Sequence, residues 1–203
     1  DGYQLSGSLL LYGAKFEAGA NDVTGMPTAA YGAYLDYFVS GESFNLPAAP
    51  TRPGYDFKGW KIGNAVLTAG AAYTVDEDDM VFTAQWEART DTPYTVEHYL
   101  ENLDGSYALD TTEPLKGTTD TTVTAAAKSY DNFTYDSTVP DTVASGNIAA
   151  DGSLVLKLFY TRNTYDYTVR HIKQLPDGSY DEANAEVETL SGKFEALAVV
   201  TAK

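Results

Sequence analysis

Histidine is the side chain best suited to acid–base or metal chemistry near neutral pH, and the chain has two, His98 and His171. To act as paired ligands, or as acid and base, they would have to converge from opposite ends of a 73-residue interval. Asp76, Glu77, Asp78 and Asp79 set four carboxylates in a row, the oxygen chemistry that holds calcium. They lack the D-x-D-x-DG spacing of a calcium loop and precede an alternating segment, so a solvated turn is preferred. Lys15, Lys58, Lys157 and Lys193 lie on strand-like segments, where a lysine beside Asn or Asp can form an amide crosslink; no motif singles one out. The 16 tyrosines are rings with a polar tip, able to stack on sugars or a mucin-like surface. In an alternating pattern most are expected in cores or on sheet faces, and Trp60 and Trp86 are expected in a core. Gly54 and Gly59 have neither GxGxxG nor Walker spacing, so they do not read as a phosphate cradle.

Composition narrows the chemistry further. There is no cysteine, hence no disulfide, thiolate metal site or cysteine nucleophile. With 29 acids against 13 bases the net charge is −16, the wrong sign for nucleic acid or anionic lipid. No apolar run is long enough to span a bilayer, and no signal peptide is visible at the start. No segment resembles a hydrolase signature. No catalytic, cofactor-binding or metal-binding residue is therefore assigned, no cofactor is expected, and the chain is read as non-enzymatic. Hydrophobic residues at 43% suffice for folded cores.

The elements that must position these residues read as strands. Alternating segments at Tyr94–Tyr99, Leu154–Tyr160 and Tyr165–Ile172 are separated by the turn pairs Asp104-Gly105, Asp151-Gly152 and Asp177-Gly178. Short helices are expected between about Pro47 and Gly54 and over Val123–Lys128. A repeat organises the rest: YTVEHYLENLDGSY at 94–107 matches YTVRHIKQLPDGSY at 167–180, and VTAAAK ending at Lys128 resembles VVTAK ending at Lys203, a shift from 73 to 75 residues. His98 and His171 occupy one slot of this repeat, which favours a structural role for both. Tyr94, Val96 and His98 share one face of the first strand, and Leu154, Leu156, Leu158 and Tyr160 belong to the closing strand. Earlier in the chain, Tyr55, Phe57 and Trp60 are large enough to provide most of a small core. VFTAQWEA (81–88) alternates, with Phe82, Ala84 and Trp86 on one side. Ala88–Pro93 and Thr161–Thr164 read as short linkers.

Residues 14–88 resemble a Listeria–Bacteroides repeat of the internalin B type. The carrying residues are FEAGANDVTGMP, the P-x-R-x-GY-x-F-x-GW core (Pro50, Arg52, Gly54, Tyr55, Phe57, Gly59, Trp60) and the terminal FTAQW. The chain departs from that family at Gly19-Ala20-Asn21-Asp22, where a tight NGG turn is usual, and in the inserted AYLDYF. Residues 94–163, and the half copy from 165, look like mucin-binding-protein (MucBP) repeats through YTVEHY, the DGSY turn and DGSLVLKLFYTRN.

The resemblances imply a mainly β fold with short helices (α+β), built as tandem small β-grasp, ubiquitin-like modules in an elongated array. The expected divisions are 1–13, a leading strand or the end of a preceding module; 14–90, the Listeria–Bacteroides-type module; 91–163, a MucBP-like module; and 164–203, the first half of another. GSLLLY at 7–12 matches the closing GSLVLKLFY, while Leu9–Ala18 reads equally as one long first strand. The half module is expected to pack on its neighbour, stay mobile, or accept a strand from another chain. The resemblances imply a repeat region of a Gram-positive, extracellular adhesin, attached to the cell wall through a part outside this sequence and acting as a stalk. The competing implications are a module that itself binds host glycans, mucin or matrix protein, and an accessory region of a secreted carbohydrate-active enzyme. No nucleic-acid partner and no membrane insertion are expected.

Overall fold

Alternating side chains need a sheet with one face covered. The computed structural model, which describes residues 9–76, 78 and 80–201, meets that need with strands alone. Neither expected helix forms. Pro47, Pro50 and Pro53 remove backbone donors and hold the residues before them extended, so 46–50 run as irregular chain. In the second segment the Ala125 N–H donates to the Ala144 carbonyl at 2.8 Å, and the Lys128 N–H is taken by the Tyr160 hydroxyl at 2.9 Å. The described chain forms two compact units.

The first unit comprises the residues up to Pro93 together with Lys116–Thr121 and Asn147–Ser153. Its strands are β1 (Tyr12–Glu17), β2 (Asp36–Phe38), β3 (Ser43–Asn45), β4 (Tyr55–Ile62), β5 (Ala65–Leu67), β6 (Ala72–Thr74) and β7 (Met80–Ala88). Five form a sheet in the order β2-β1-β7-β4-β5, and β3 with β6 makes an antiparallel ribbon. The first and last strands, β1 and β7, are parallel neighbours at the centre. The first strand is shorter than Leu9–Ala18, since Leu9–Leu11 are exposed and unpaired into the sheet; the earlier residues of GSLLLY lie outside the described ones. Met80, Phe82 and Ala84 of β7 are buried and Val81 is exposed, the expected period of two. They pack with Ala14, Leu46, Val75 and Trp60. Phe16 stacks on Phe82 at 4.9 Å and meets Trp60 edge-on at 4.9 Å. Trp86 and Phe57 line this core half-buried, and Tyr55 does not join it. Gly59 sits at a break in the β4–β7 register with φ +140°, where a Cβ would lie 2.6 Å from the Leu67 carbonyl oxygen.

The second unit comprises Tyr94–Leu115, Thr122–Gly146 and the residues from Leu154 on. The strands that follow β7 are β8 (Thr92–Glu101), β9 (Tyr107–Gly117), β10 (Thr122–Thr124), β11 (Phe133–Tyr135), β12 (Ser145–Asn147), β13 (Val155–Arg162), β14 (Thr164–His171) and β15 (Glu186–Lys193). A four-stranded sheet runs β11-β13-β8-β9, with β13 parallel to β8. First and last strands are thus again parallel neighbours. Val96, His98, Leu156, Leu158 and Tyr160 are buried. The Asp-Gly turns form as expected: Asp104 and Asp177 each accept the N–H two residues on, at 2.9 and 3.0 Å. β14 and β15 form an antiparallel hairpin of their own.

Candidate functional site

His98 projects from β8 and has no exposure to solvent. Its Nδ1 lies 2.8 Å from the Tyr160 hydroxyl and its Nε2 3.4 Å from Glu113. The Tyr160 oxygen already accepts the Lys128 N–H, so its own proton is directed at Nδ1. A neutral ring then carries its proton on Nε2, facing the carboxylate. The Lys128 ammonium, 2.7 Å from Glu113, holds that carboxyl below its ordinary range, with His98 assisting. Burial raises the Tyr160 hydroxyl. Both ring nitrogens are used, and the cluster joins β8, β9, the segment after β10 and β13. His171 repeats half of the arrangement, with Nε2 3.1 Å from Glu188; Glu188 follows Glu113 by 75 residues, as the late part of the repeat requires. The two histidines are not brought together as a pair: each bonds within its own copy.

The other sequence candidates are placed as follows. Asp76 receives a long 3.5 Å contact from the Tyr73 hydroxyl; Glu77 and Asp79 lie outside the described residues. Among the described residues no group of three acidic or histidine side chains is arranged to hold a metal. Lys15 pairs with Glu17 and Lys58 with Glu87, at 2.6 and 2.7 Å, and Lys193 pairs with Glu101. Lys157 stands 6.0 Å from the Tyr99 ring. Of the tyrosines, Tyr160 is buried, whereas Tyr31, Tyr37, Tyr165 and Tyr180 are exposed.

The arrangement that the residue-type search missed is a backbone joint built twice. In the first unit Gly54 has φ +70°, and its carbonyl accepts the Arg89 N–H at 2.9 Å; the Arg89 carbonyl accepts the Thr119 N–H at 2.9 Å; and Asp120 follows with φ +61°. In the second unit Asn132 has φ +66°, and its carbonyl accepts the Asn163 N–H at 2.8 Å; the Asn163 carbonyl accepts the Phe194 N–H at 2.9 Å; and Glu195 follows with φ +63°. Thr119 and Asp120 precede Phe194 and Glu195 by 75 residues, the offset already seen late in the repeat. Side chains close each joint. In the first, the Tyr55 hydroxyl donates to Asp120, the Arg52 guanidinium lies 3.6 Å from the Tyr55 ring centre, and Thr119 bonds to both Thr92 and the Gly54 carbonyl. In the second, Arg162 lies beside the rings of Phe133 and Phe194, 5.1 and 5.8 Å away, and bonds to Glu195 at 2.7 Å.

Glycine is required at position 54 for a second reason. A Cβ there would lie 2.8 Å from the Thr119 hydroxyl and 2.9 Å from Ala150. The linkers are also shorter than expected, since β8 begins at Thr92 and only Asn163 separates β13 from β14.

The second joint holds a buried carboxylate. Glu101 is 6% exposed. It accepts the Arg162 N–H at 2.9 Å and the Lys193 ammonium, while Arg162 Nε reaches the Glu101 carbonyl at 2.7 Å. Burial pushes the Glu101 carboxyl up; Lys193 and the Arg162 N–H together outweigh it and hold the group below its ordinary value.

No protein family matches the chain, and no curated protein matches it. Among solved structures the chain is similar to Streptococcal High Identity Repeats in Tandem (SHIRT) domains 3-4 from a cell surface protein. The identity is 15% and the TM-score 0.25, over 75% of this chain and 98% of that one. A likeness at that TM-score carries no argument about fold or function.

Proposed function

We propose that the chain is a non-enzymatic repeat region of a bacterial cell-surface adhesin, extracellular and wall-linked, serving as a stalk that presents another part of its protein. The observation that carries this reading is the twice-built joint. A linker residue whose N–H and C=O are both bound to flanking turns has little freedom to swivel, and the chain builds that device at both Arg89 and Asn163. The parallel pairing of first and last strands in β1–β7 and β8–β13 supports modules of the β-grasp kind. The Pro50–Trp60 core supports the Listeria–Bacteroides resemblance, and YTVEHY with its DGSY turn supports the MucBP one. A compact domain of this length would have a radius of gyration near about 17 Å. Small-angle scattering of the purified chain is expected to give a clearly larger value, and one close to 17 Å overturns the stalk.

One surface favours a second reading, direct glycan or mucin binding. Tyr31, Tyr34 and Tyr37 cluster at the AYLDYF insertion, with Tyr37 5.9 and 5.2 Å from the other two rings. Tyr31 and Tyr37 are 58% and 39% exposed, and the Leu35 N–H ties the segment to the Ala14 carbonyl at 2.7 Å. Such a platform suits the apolar face of a sugar. If it binds, the chain will retain mucin or a defined glycan saturably when a charge-matched acidic protein does not. The double variant Tyr31→Ala/Tyr37→Ala will then lose about tenfold in affinity. An unchanged affinity in that variant removes the platform from consideration.

A further inference from the structure

The parallel pairing of β8 with β13, and of β1 with β7, fixes how tension along the backbone meets each sheet. Tension enters β8 at its N-terminal end and leaves β13 at its C-terminal end. In a parallel pair those two points lie at opposite ends of the ladder. The strands are therefore drawn past each other along their length, and the bonds between them are loaded together. In a hairpin such as β14–β15 the two free ends lie side by side, and tension opens the bonds one after another. The β8–β13 ladder runs through six residue pairs, from Thr95–Val155 to Leu100–Tyr160, and the Thr95 N–H bonds to the Leu154 carbonyl at 3.0 Å at its start. One face of it is dry, with Val96, His98, Leu156, Leu158 and Tyr160 buried, so water has no ready access to replace a stretched bond. Side chains tie the same two strands again. The Tyr160 hydroxyl lies 2.8 Å from His98 Nδ1; beyond the ladder, the Arg162 N–H donates to the Glu101 carboxylate at 2.9 Å and Arg162 Nε to the Glu101 carbonyl at 2.7 Å. The first unit is built alike. β1 and β7 pair from Ala14–Met80 to Glu17–Thr83, Phe16 stacks on Phe82, and the Trp86 indole N–H donates to the carbonyl of Ala18, just past β1, at 2.8 Å.

We propose that the two parallel pairs are shear clamps, which keep each unit folded while the chain carries tension. The function is load-bearing and needs no ligand. It gives the buried His98 a role that its chemistry does not: with Tyr160 it bolts β8 to β13 across the ladder. Resistance to pulling is a rate, set by how many bonds must break before the strands can slide, so it depends on the direction of the load as well as on stability. The clamps follow from strand pairing within each unit and are independent of the stalk reading. An extended chain with weak clamps and a compact chain with strong ones are separate outcomes, the first read by pulling and the second by scattering.

The test is single-molecule pulling on the full chain, which has no cysteine, so introduced thiols are its sole attachment points. Thr90→Cys with Thr164→Cys applies tension at the start of β8 and the end of β13. Thr90→Cys with Ser153→Cys applies it at the starts of both strands, which lie together, and so peels the same bonds in turn. All three positions are exposed, and both variants should keep the parent's amide-exchange protection at Val96–Leu100. The first geometry is expected to unfold the β8–β13 sheet in one step, at a force about twofold or more above the second. Adding Tyr160→Phe should lower the force in the first geometry and leave the onset of peeling unchanged, because peeling begins at the opposite end of the ladder. Equal forces in the two geometries, or stepwise opening in the first, overturns the clamp. An equal drop in both geometries on Tyr160→Phe overturns the part assigned to His98.

Discussion

Trp60→Ala will unfold the first compact unit at much lower denaturant than the parent, with a loss of about 3–5 kcal/mol. The indole is fully buried. It meets Phe16 at 4.9 Å and Phe57 at 5.2 Å, both edge-on, and its N–H donates to the Pro47 carbonyl at 3.1 Å. Alanine removes the ring contacts, leaves a cavity the flanking strands cannot collapse into, and strands a carbonyl on the proline-bounded segment. The readout is specific, because the chain has two tryptophans and both lie in this unit: urea titration followed by Trp86 emission reports the first unit alone. Trp60→Phe should lose less, since the ring is kept and the hydrogen bond is not. A loss below about 1 kcal/mol for the alanine variant would show that the core does not depend on this ring.

The burial of Trp60 was legible because the signal is local. Three aromatics and two glycines within a dozen residues leave few ways to fold, and Phe82, Ala84 and Trp86 share a face by the period of a strand. The Asp-Gly turns were legible for the same reason, each being satisfied by its own serine two residues on. The joints were not. Gly54 announces a left-handed turn, but what crowds it is Thr119 and Ala150, distant in sequence, and nothing near Tyr55 says that its hydroxyl leaves the core to meet Asp120. The helix expectations failed through competition of the same kind. Val123–Lys128 has residues that suit a helix, yet its N–H groups are claimed by Ala144 and by Tyr160, and tertiary partners override so weak a propensity. For the histidines, the repeat offset pairs the two positions without naming their partners; Tyr160 and Glu113 emerge only once β13 and β9 lie on either side of β8.

Arg162→Ala should release the β14–β15 hairpin from the end of β13 while leaving β8 and β13 paired. The guanidinium bonds to the carbonyls of Glu101 and Phe194 at 2.7 and 3.0 Å and to Glu195 at 2.7 Å, and it lies against two rings. Its removal takes away these bonds and ring contacts, while the Glu101 carboxylate keeps Lys193 and the backbone N–H of residue 162, and a loss of about 2 kcal/mol is expected. Amide exchange in Tyr165–His171 and Thr189–Lys193 should then approach that of free peptide, with Val96–Leu100 still protected. Equal protection of the hairpin in variant and parent would sink the joint as its anchor. The same carboxylate makes the anchoring pH-dependent, with a definite sign. Its folded value lies below the ordinary 4.5, so its contribution is complete above that value in the unfolded chain and is lost as pH falls through the folded one. Hairpin protection in the parent should therefore weaken on acidification below about pH 4.5. Glu101→Gln should be weaker at neutral pH and lose that part of the acid response, because a neutral amide cannot exchange a proton there. If the parent and Glu101→Gln lose hairpin protection along the same acid curve, the pH dependence belongs to other carboxylates and not to this joint.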